Sequence, residues 1–282
     1  MDTGWRLDIH HTTKVRYQGP VRASYNEARM TPLTLPRQNT LRSQISTGAP
    51  SAVWAYLDYW GTQVSSFDIP APHRDLVIRA VATVETAPPP PSHTPPQWQA
   101  LTGQARSGRL LEYLTATGRT TIDAELAEAA RQRVTGADPL QAAAEISSWV
   151  RSRVAYVPGA TQVQTSAQEA WDRGQGVCQD MAHLTVALLR EVGLPARYVS
   201  GYLYPQPGAL PGDTLDGQSH AWVEYWAGQW TACDPTNGAP VGEQHVVVAR
   251  GRDYADVAPL RGIYQGPPQS SMEVTVRLTR AA

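Results

Sequence analysis

The sequence predicts an α+β protein in which a β-rich, sandwich-like N-terminal part precedes a helical stretch and a second antiparallel sheet. Three observations carry this prediction. The first 85 residues show period-two runs separated by turn residues. From about residue 107 the apolar spacing becomes helical. After Pro195 short alternating runs return.

In the N-terminal part, residues 5–17 alternate imperfectly. Residues 52–59 and 63–69 flank Trp60-Gly61-Thr62 as a hairpin, and residues 76–85 form the clearest strand. No acid, base or nucleophile cluster stands out here, so this part, 1–90, reads as a packing or partner-binding domain. Four prolines at 88–91 and two at 95–96 mark an extended, stiff connection. Residues 91–138 are assigned to this linker and a helical connection. One helix is expected over 123–133, with Ile122, Leu126, Ala129 and Ala130 as its apolar stripe. Asp138-Pro139 starts another, aspartate at N-cap and proline at N1. Its core side is Leu140, Ala143, Ala144, Ile146 and Val150. A short helical piece at 167–171 follows.

Met181, Leu184, Leu188, Leu189 and Val192 recur at helical spacing, Gly193 is a C′ residue and Pro195 forbids continuation. A helix over 178–192 follows, with Cys178 in its first turn. Strands are expected at 196–204, 219–226 and 229–234, with a loop over 205–218. The alternating tail, 270–282, is expected to return to the N-terminal sheet.

The chain has 282 residues and is 41% hydrophobic, enough for a sizeable core. With 24 basic and 25 acidic residues its net charge is −1, which argues against nucleic acid as a partner. Two cysteines do not make a disulfide scaffold. The first residues lack an apolar leader, and no run approaches the roughly 18 apolar residues of a membrane span. The expectation is a cytoplasmic protein with free thiols and no membrane partner.

The chemistry centres on Gly174-Gln175-Gly176-Val177-Cys178-Gln179-Asp180. A cysteine at a helix start meets unpaired backbone N–H groups and the positive end of the helix dipole, which favour the thiolate. The same N–H groups can hold an oxyanion. Gln175 and Gln179 are both candidate amide donors to it. Asp180 reads as a cap or first-turn acceptor. His183, about 140° around the helix from Cys178, reads as a packing or surface residue. The bland alternative for Cys178 is a buried structural thiol.

Residues 219–226 and 229–234 are joined by Ala227-Gly228. Pairing sums of 454 or 455 place His220 opposite Asp234 or Pro235, where a carboxylate can orient an imidazole base. Period two turns Cys233 away from Asp234 into the core, which disfavours a zinc site built on both cysteines. Trp222 and Glu224 share the face of His220. Trp222 is expected to wall a groove and Glu224 to face solvent, and Tyr202 is a further groove candidate. The bland reading of His220 and Asp234 is a solvated histidine and a turn-forming Asp-Pro.

At these residues the chain resembles the bacterial transglutaminase-like superfamily. The matching pieces are Gly176-Val177-Cys178-Gln179-Asp180, residues 188–190 and 193–202, Ser219-His220-Ala221-Trp222-Val223-Glu224 and Asp234-Pro235-Thr236-Asn237. They span about residues 139–240, and the first 85 residues look like the β-rich region often attached to such cores. The resemblance implies a papain-like core over 139–265, with a cysteine-bearing helix packed on an antiparallel sheet. It implies Cys178 as nucleophile, His220 as general base and Asp234 as orienting carboxylate, acting on a protein or peptide through a thioester. Hydrolysis is the favoured outcome. Transfer to a primary amine, as in cross-linking, or deamidation is the alternative, and a silent binding or scaffold module is the rival from another class. No cofactor or metal is expected, no calcium loop of the EF-hand kind is present, and the oligomeric state stays open.

Overall fold

The computed structural model describes residues 4–105, 108–206 and 208–282. Residues 1–3, at the start read for a leader, and residue 207, in the expected loop, lie outside the described residues.

The chain opens with β1 (Trp5–Val21), β2 (Ser24–Ala28), β3 (Gln38–Thr47), β4 (Val53–Leu57), β5 (Gln63–Ile69) and β6 (His73–Thr86). Helices α1 (Trp98–Ala105), α2 (Ala124–Arg133) and α3 (Pro139–Arg153) follow, with a 3-10 turn at Gly108–Tyr113 between the first two. Next come β7 (Ala155–Tyr156), α4 (Ala167–Arg173), β8 (Gln175–Gly176), α5 (Cys178–Glu191), β9 (Ala196–Leu203) and β10 (Thr214–Trp226). The remainder is β11 (Trp230–Cys233), β12 (His245–Gly251), α6 (Tyr254–Val257), β13 (Leu260–Tyr264) and β14 (Ser270–Arg280). The fold is α+β, with helices packed against a curled antiparallel sheet and a β-rich N-terminal region.

The main sheet runs β12-β9-β10-β14-β1-β6-β3, with β11 also on β10. A second sheet, β13-β2-β5-β4, faces its N-terminal half. The strand β1 serves two cores through one alternation. Leu7 and Ile9 pack with the helices and with β9 and β10, whereas Val15, Tyr17 and Val21 pack between the two sheets. The alternation looks imperfect in sequence because two inward positions are polar. His11 and Thr13 are buried, bonded to each other at 2.9 Å, and His11 also bonds the Tyr202 hydroxyl at 2.9 Å.

The C-terminal strand β14 pairs with β1 along eleven positions, from Leu7↔Arg280 to Tyr17↔Ser270. On its other side it pairs with β10, from Thr214↔Thr279 to Gly217↔Val276. It therefore joins the two sheets that sequence reading treated as separate. The expected loop over 205–218 is accordingly shorter, since 214–218 are already strand. These residues read as loop because Gly217 and the polar side chains around it hide the pairing.

Local signals explain the helix starts. Asp123 caps α2 through the Leu126 N–H, and Asp138 with Gln141 forms a capping box on α3. Ser166 and Glu169 do the same for α4. Helix α5 is the central element, with every residue from Asp180 to Arg190 buried. Arg190 anchors its far end through bonds to the carbonyls of Tyr113, Thr115, Ala196 and Arg252 and to the Thr120 hydroxyl. Such a buried guanidinium is tolerable only because its donors are satisfied.

Candidate active site

Two short turns deliver Cys178 to the start of α5. Gly174 ends α4 in the left-handed region at φ 63°, where glycine carries no steric penalty. Gln175 and Gly176 then pair in parallel with Ala155 and Tyr156. Val177 is the extended N-cap and offers no side-chain cap. Asp180 compensates by accepting the Val177 N–H at 2.8 Å and the Thr161 hydroxyl at 2.5 Å. Burial raises the Asp180 carboxyl above its usual range, against the pull of these bonds. Asp180 thus shapes the entry to the helix. Gln179 turns its amide toward the Gln162 carbonyl at 3.5 Å, and Gln175 is exposed.

The candidate base, His220, comes from β10. His220 Nε2 lies 2.8 Å from Asp234 Oδ2. The Cys178 side chain lies close enough to the ring to favour its protonated form. Burial disfavours the charged ring, but the hydrogen bonds to Asp234 and Cys178 and their charges outweigh it. The His220 pKa is raised to about 9. Asp234 is buried, which alone would raise it. Its bonds to His220, His245 and Asn237 hold it well below the usual carboxylate range.

The expected register between β10 and β11 is corrected. The ladder runs from Val223↔Cys233 to Trp226↔Trp230, with a three-residue connection, Ala227 to Gln229, and Gly228 at φ 89°. Asp234 lies one residue beyond the ladder and is not directly opposite His220. It reaches the ring because the chain turns there: its Oδ1 accepts the N–H groups of Thr236 and Asn237 at 2.9 and 3.2 Å. Asn237 Nδ2 donates to Asp234 Oδ2 at 2.7 Å and lies 3.3 Å from His220 Nε2.

Several neighbours differ from expectation. Trp222 is fully buried and stacks on His220 at 6.0 Å and 23°, so it backs the ring and walls no groove. Gly201 makes this possible, because a Cβ there would meet the Trp222 ring at 2.6 Å and the Val246 carbonyl at 2.0 Å. Tyr202 is buried too, with its hydroxyl on His11 and the Met30 carbonyl, and lines no groove either. In both cases the alternation was read without the layer that covers the sheet. Glu224 faces no solvent: it is buried between Arg197 and Arg250, at 2.5 and 2.8 Å. Cys233 packs toward the helices with its thiol on Ser147, and burial pushes that thiol up to about 12. His183 is fully buried, packs on Tyr198 and accepts the Tyr254 N–H at 3.1 Å.

Sequence reading missed His245. It opens β12 and is buried, with Nε2 3.3 Å from Asp234 Oδ2. Its signal was a lone imidazole leading the apolar run Val246-Val247-Val248. His220, Asp234 and His245 bring ligand-type atoms within 4.8 Å of one another, a spacing at which a metal could be held. The direct hydrogen bonds already occupy those atoms.

A nucleophile-type cysteine, a histidine and a carboxylate on this fold define a class, and comparison with known proteins agrees. Residues 127–235 match the transglutaminase-like superfamily core, and residues 7–85 match the bacterial transglutaminase-like N-terminal region. The uncharacterized protein ML0607 of Mycobacterium leprae is 41% identical over 278 residues, covering 99% of this chain and 100% of that protein. A protein-glutamine gamma-glutamyltransferase of Pseudomonas aeruginosa is 36% identical over 85 residues, 28% of this chain and 12% of that protein. A crystal structure of a candidate cysteine protease from Cytophaga hutchinsonii shares the fold with a TM-score of 0.76 at 22% identity, over 97% of this chain and 90% of that one. The chain belongs to the bacterial transglutaminase-like superfamily.

The expected cytoplasmic location is corrected here. The periplasmic domain of TgpA from Pseudomonas aeruginosa is among the similar solved structures, with a TM-score of 0.36 and 16% identity over 84% of this chain and 89% of that one. That domain lies outside the cytoplasm. Free thiols do not place a protein of this superfamily inside the cell, since a reactive cysteine must stay unpaired in any compartment. Among the described residues no helix is long and apolar enough to cross a membrane.

Proposed function

We propose that this protein is a cysteine-dependent hydrolase of amide or peptide bonds, with Cys178 as nucleophile, His220 as acid–base group and Asp234 as its orienting carboxylate. The observation that carries the reading is a buried imidazole, raised to about 9, held between Asp234 and the thiol at the start of α5. A histidine so raised holds its proton at neutral pH and favours a thiolate beside it. Cys178 Sγ attacks the substrate carbonyl, and backbone N–H groups at the helix start receive the oxyanion. His220 donates its proton to the departing amine, leaving a thioester. It then takes a proton from water as the thioester is cleaved, and the thiolate–imidazolium pair is restored.

A second reading is transfer of the acyl group to a primary amine. The likeness to the Pseudomonas aeruginosa gamma-glutamyltransferase favours it, over 85 residues. One experiment tests both. Wild type and Cys178→Ala are incubated with a peptide and amide library, with and without a primary amine, and products are read by mass spectrometry. Hydrolysed products that vanish in Cys178→Ala support the hydrolase. Amine adducts in place of hydrolysis select the transferase. An unchanged library, with Cys178 alkylating like an ordinary thiol, overturns both.

A further inference from the structure

Asp234 holds two histidines. The second, His245, belongs to neither the nucleophile helix nor the strand of the base, and its hydrogen bonds fix its tautomer. Its Nδ1 accepts the Gly242 N–H at 3.3 Å. A ring nitrogen that accepts carries no proton, so in the neutral ring the proton sits on Nε2. Nε2 faces Asp234 Oδ2 at 3.3 Å and therefore donates to it. The His245 ring is further held edge-on against Trp222, at 5.2 Å and 72°, and Trp222 itself stacks on His220.

The groups around the carboxylate come from separate elements. His220 reaches it from β10, His245 from β12 and Asn237 from the turn after β11, and Cys178 of α5 touches His220. The strand that carries His245 is in turn clamped by the N-terminal region. Gln38 Nε2 donates to the Val247 carbonyl at 2.8 Å, and Gln38 Oε1 accepts the Val247 N–H at 2.7 Å. The Leu33 N–H also donates to the Val247 carbonyl, at 3.0 Å. Gln38 is buried, and a primary amide is a side chain that can offer both a donor and an acceptor to one backbone residue.

We propose that His245 is a positioning residue of the active site: as the Nε2–H tautomer it ties Asp234 in place for His220, and Gln38 holds its strand against the core. This rests on the reading of Cys178, His220 and Asp234 given above. A carboxylate with three side-chain donors on one oxygen and two backbone N–H groups on the other has little freedom to swing away from the base. The arrangement also gives the N-terminal region a part in the chemistry, since a residue of that region sets the position of β12.

The test uses the full chain and reads Cys178 alkylation by iodoacetamide across pH, with far-UV circular dichroism to verify folding. His245→Ala is expected to lower the alkylation rate at pH 7 by roughly ten-fold, the effect of losing a hydrogen bond to a charged group. The midpoint of the pH profile is expected to rise. His245→Gln, whose amide can still donate, is expected to recover most of the rate. Folded His245→Ala that keeps the wild-type rate and midpoint, or His245→Gln no better than alanine, overturns the proposal. Nitrogen-15 NMR of the histidines supplies a second measurement that needs no variant to fold. It should show His245 protonated at Nε2 only, and protonation at Nδ1 instead would refute the assignment. Ordinary alkylation of wild-type Cys178 would sink the nucleophile reading while leaving this tautomer measured. Fast wild-type alkylation at pH 7 that His245→Ala leaves unchanged would sink the positioning role alone.

Discussion

His220 makes a pH prediction that separates its two roles. With a pKa of about 9 it keeps its proton through neutral pH and loses it above. In the proposed reaction the leaving amine needs that proton, whereas alkylation of the thiolate does not. Amide turnover should fall as pH rises through about 9 while iodoacetamide alkylation stays high, and parallel decline of both would count against the acid role. Stability follows the same titration. A histidine raised from 6.5 contributes fully below pH 6.5 and loses that contribution as pH climbs through 9. The lowered Asp234 contributes above about pH 4 and loses it only as acid reaches its depressed folded value. The stability gap between wild type and His220→Gln in urea should therefore narrow between pH 6 and pH 9.5, by up to ~3 kcal/mol. A gap constant over that range would mean the ring is not raised.

At the level of elements, the packing around α5 sets how closely Cys178 is presented. A Cβ on Gly176 would meet Asp180 Cβ at 2.8 Å and Oδ2 at 2.9 Å, and Asp180 is the group that ties down Val177. Gly176→Ala should cost ~1–3 kcal/mol and slow Cys178 alkylation at pH 7. Gly103→Ala, where a Cβ meets nothing within 4 Å, serves as the control. Equal stability of the two variants would show that the loop yields freely. The same elements show what could be read beforehand. Helix α5 and the caps Asp138 and Gly193 were legible because one residue type answers one local need, an orphan N–H or a positive φ, here 90° at Gly193. The β10–β11 register was not, because a two-residue and a three-residue turn both suit Ala227-Gly228-Gln229. His245 and Gln38 were invisible for a different reason. Their roles depend on contacts 11 and 209 residues away, which leave no local periodicity. Trp222 and Glu224 were placed on the right strand face but at the wrong depth, since alternation assigns sides and not what covers them.

Across the whole molecule, β14 is the strand on which the two halves depend. It lies between β1 and β10, and Val276 pairs with His11 on one side and Gly217 on the other. Val276 and Leu278 are buried in the same core as Leu7, Leu184 and Val223. The main core thus draws on the N-terminal region, the helix of Cys178 and the strand of His220 at once. Gln38 adds a second tie between the N-terminal region and β12. A chain built this way should unfold as one unit, although its family resemblance divides it in two. Val276→Pro probes this directly, because proline removes an N–H from an interior strand and its ring disrupts the ladder, at a cost of about 3 kcal/mol or more. The substitution is about 100 residues from Cys178 in sequence, yet it should lower the melting temperature of the entire molecule in one calorimetric transition. Cys178 alkylation should shift toward ordinary thiol behaviour over the same temperature range, since α5 and β10 lose their shared support together. Two resolved transitions, with the N-terminal β-signal lost first and Cys178 reactivity intact, would show instead that the halves are stable apart. In that case the contacts through β14 and Gln38 would be docking contacts between independent units and not parts of a common core.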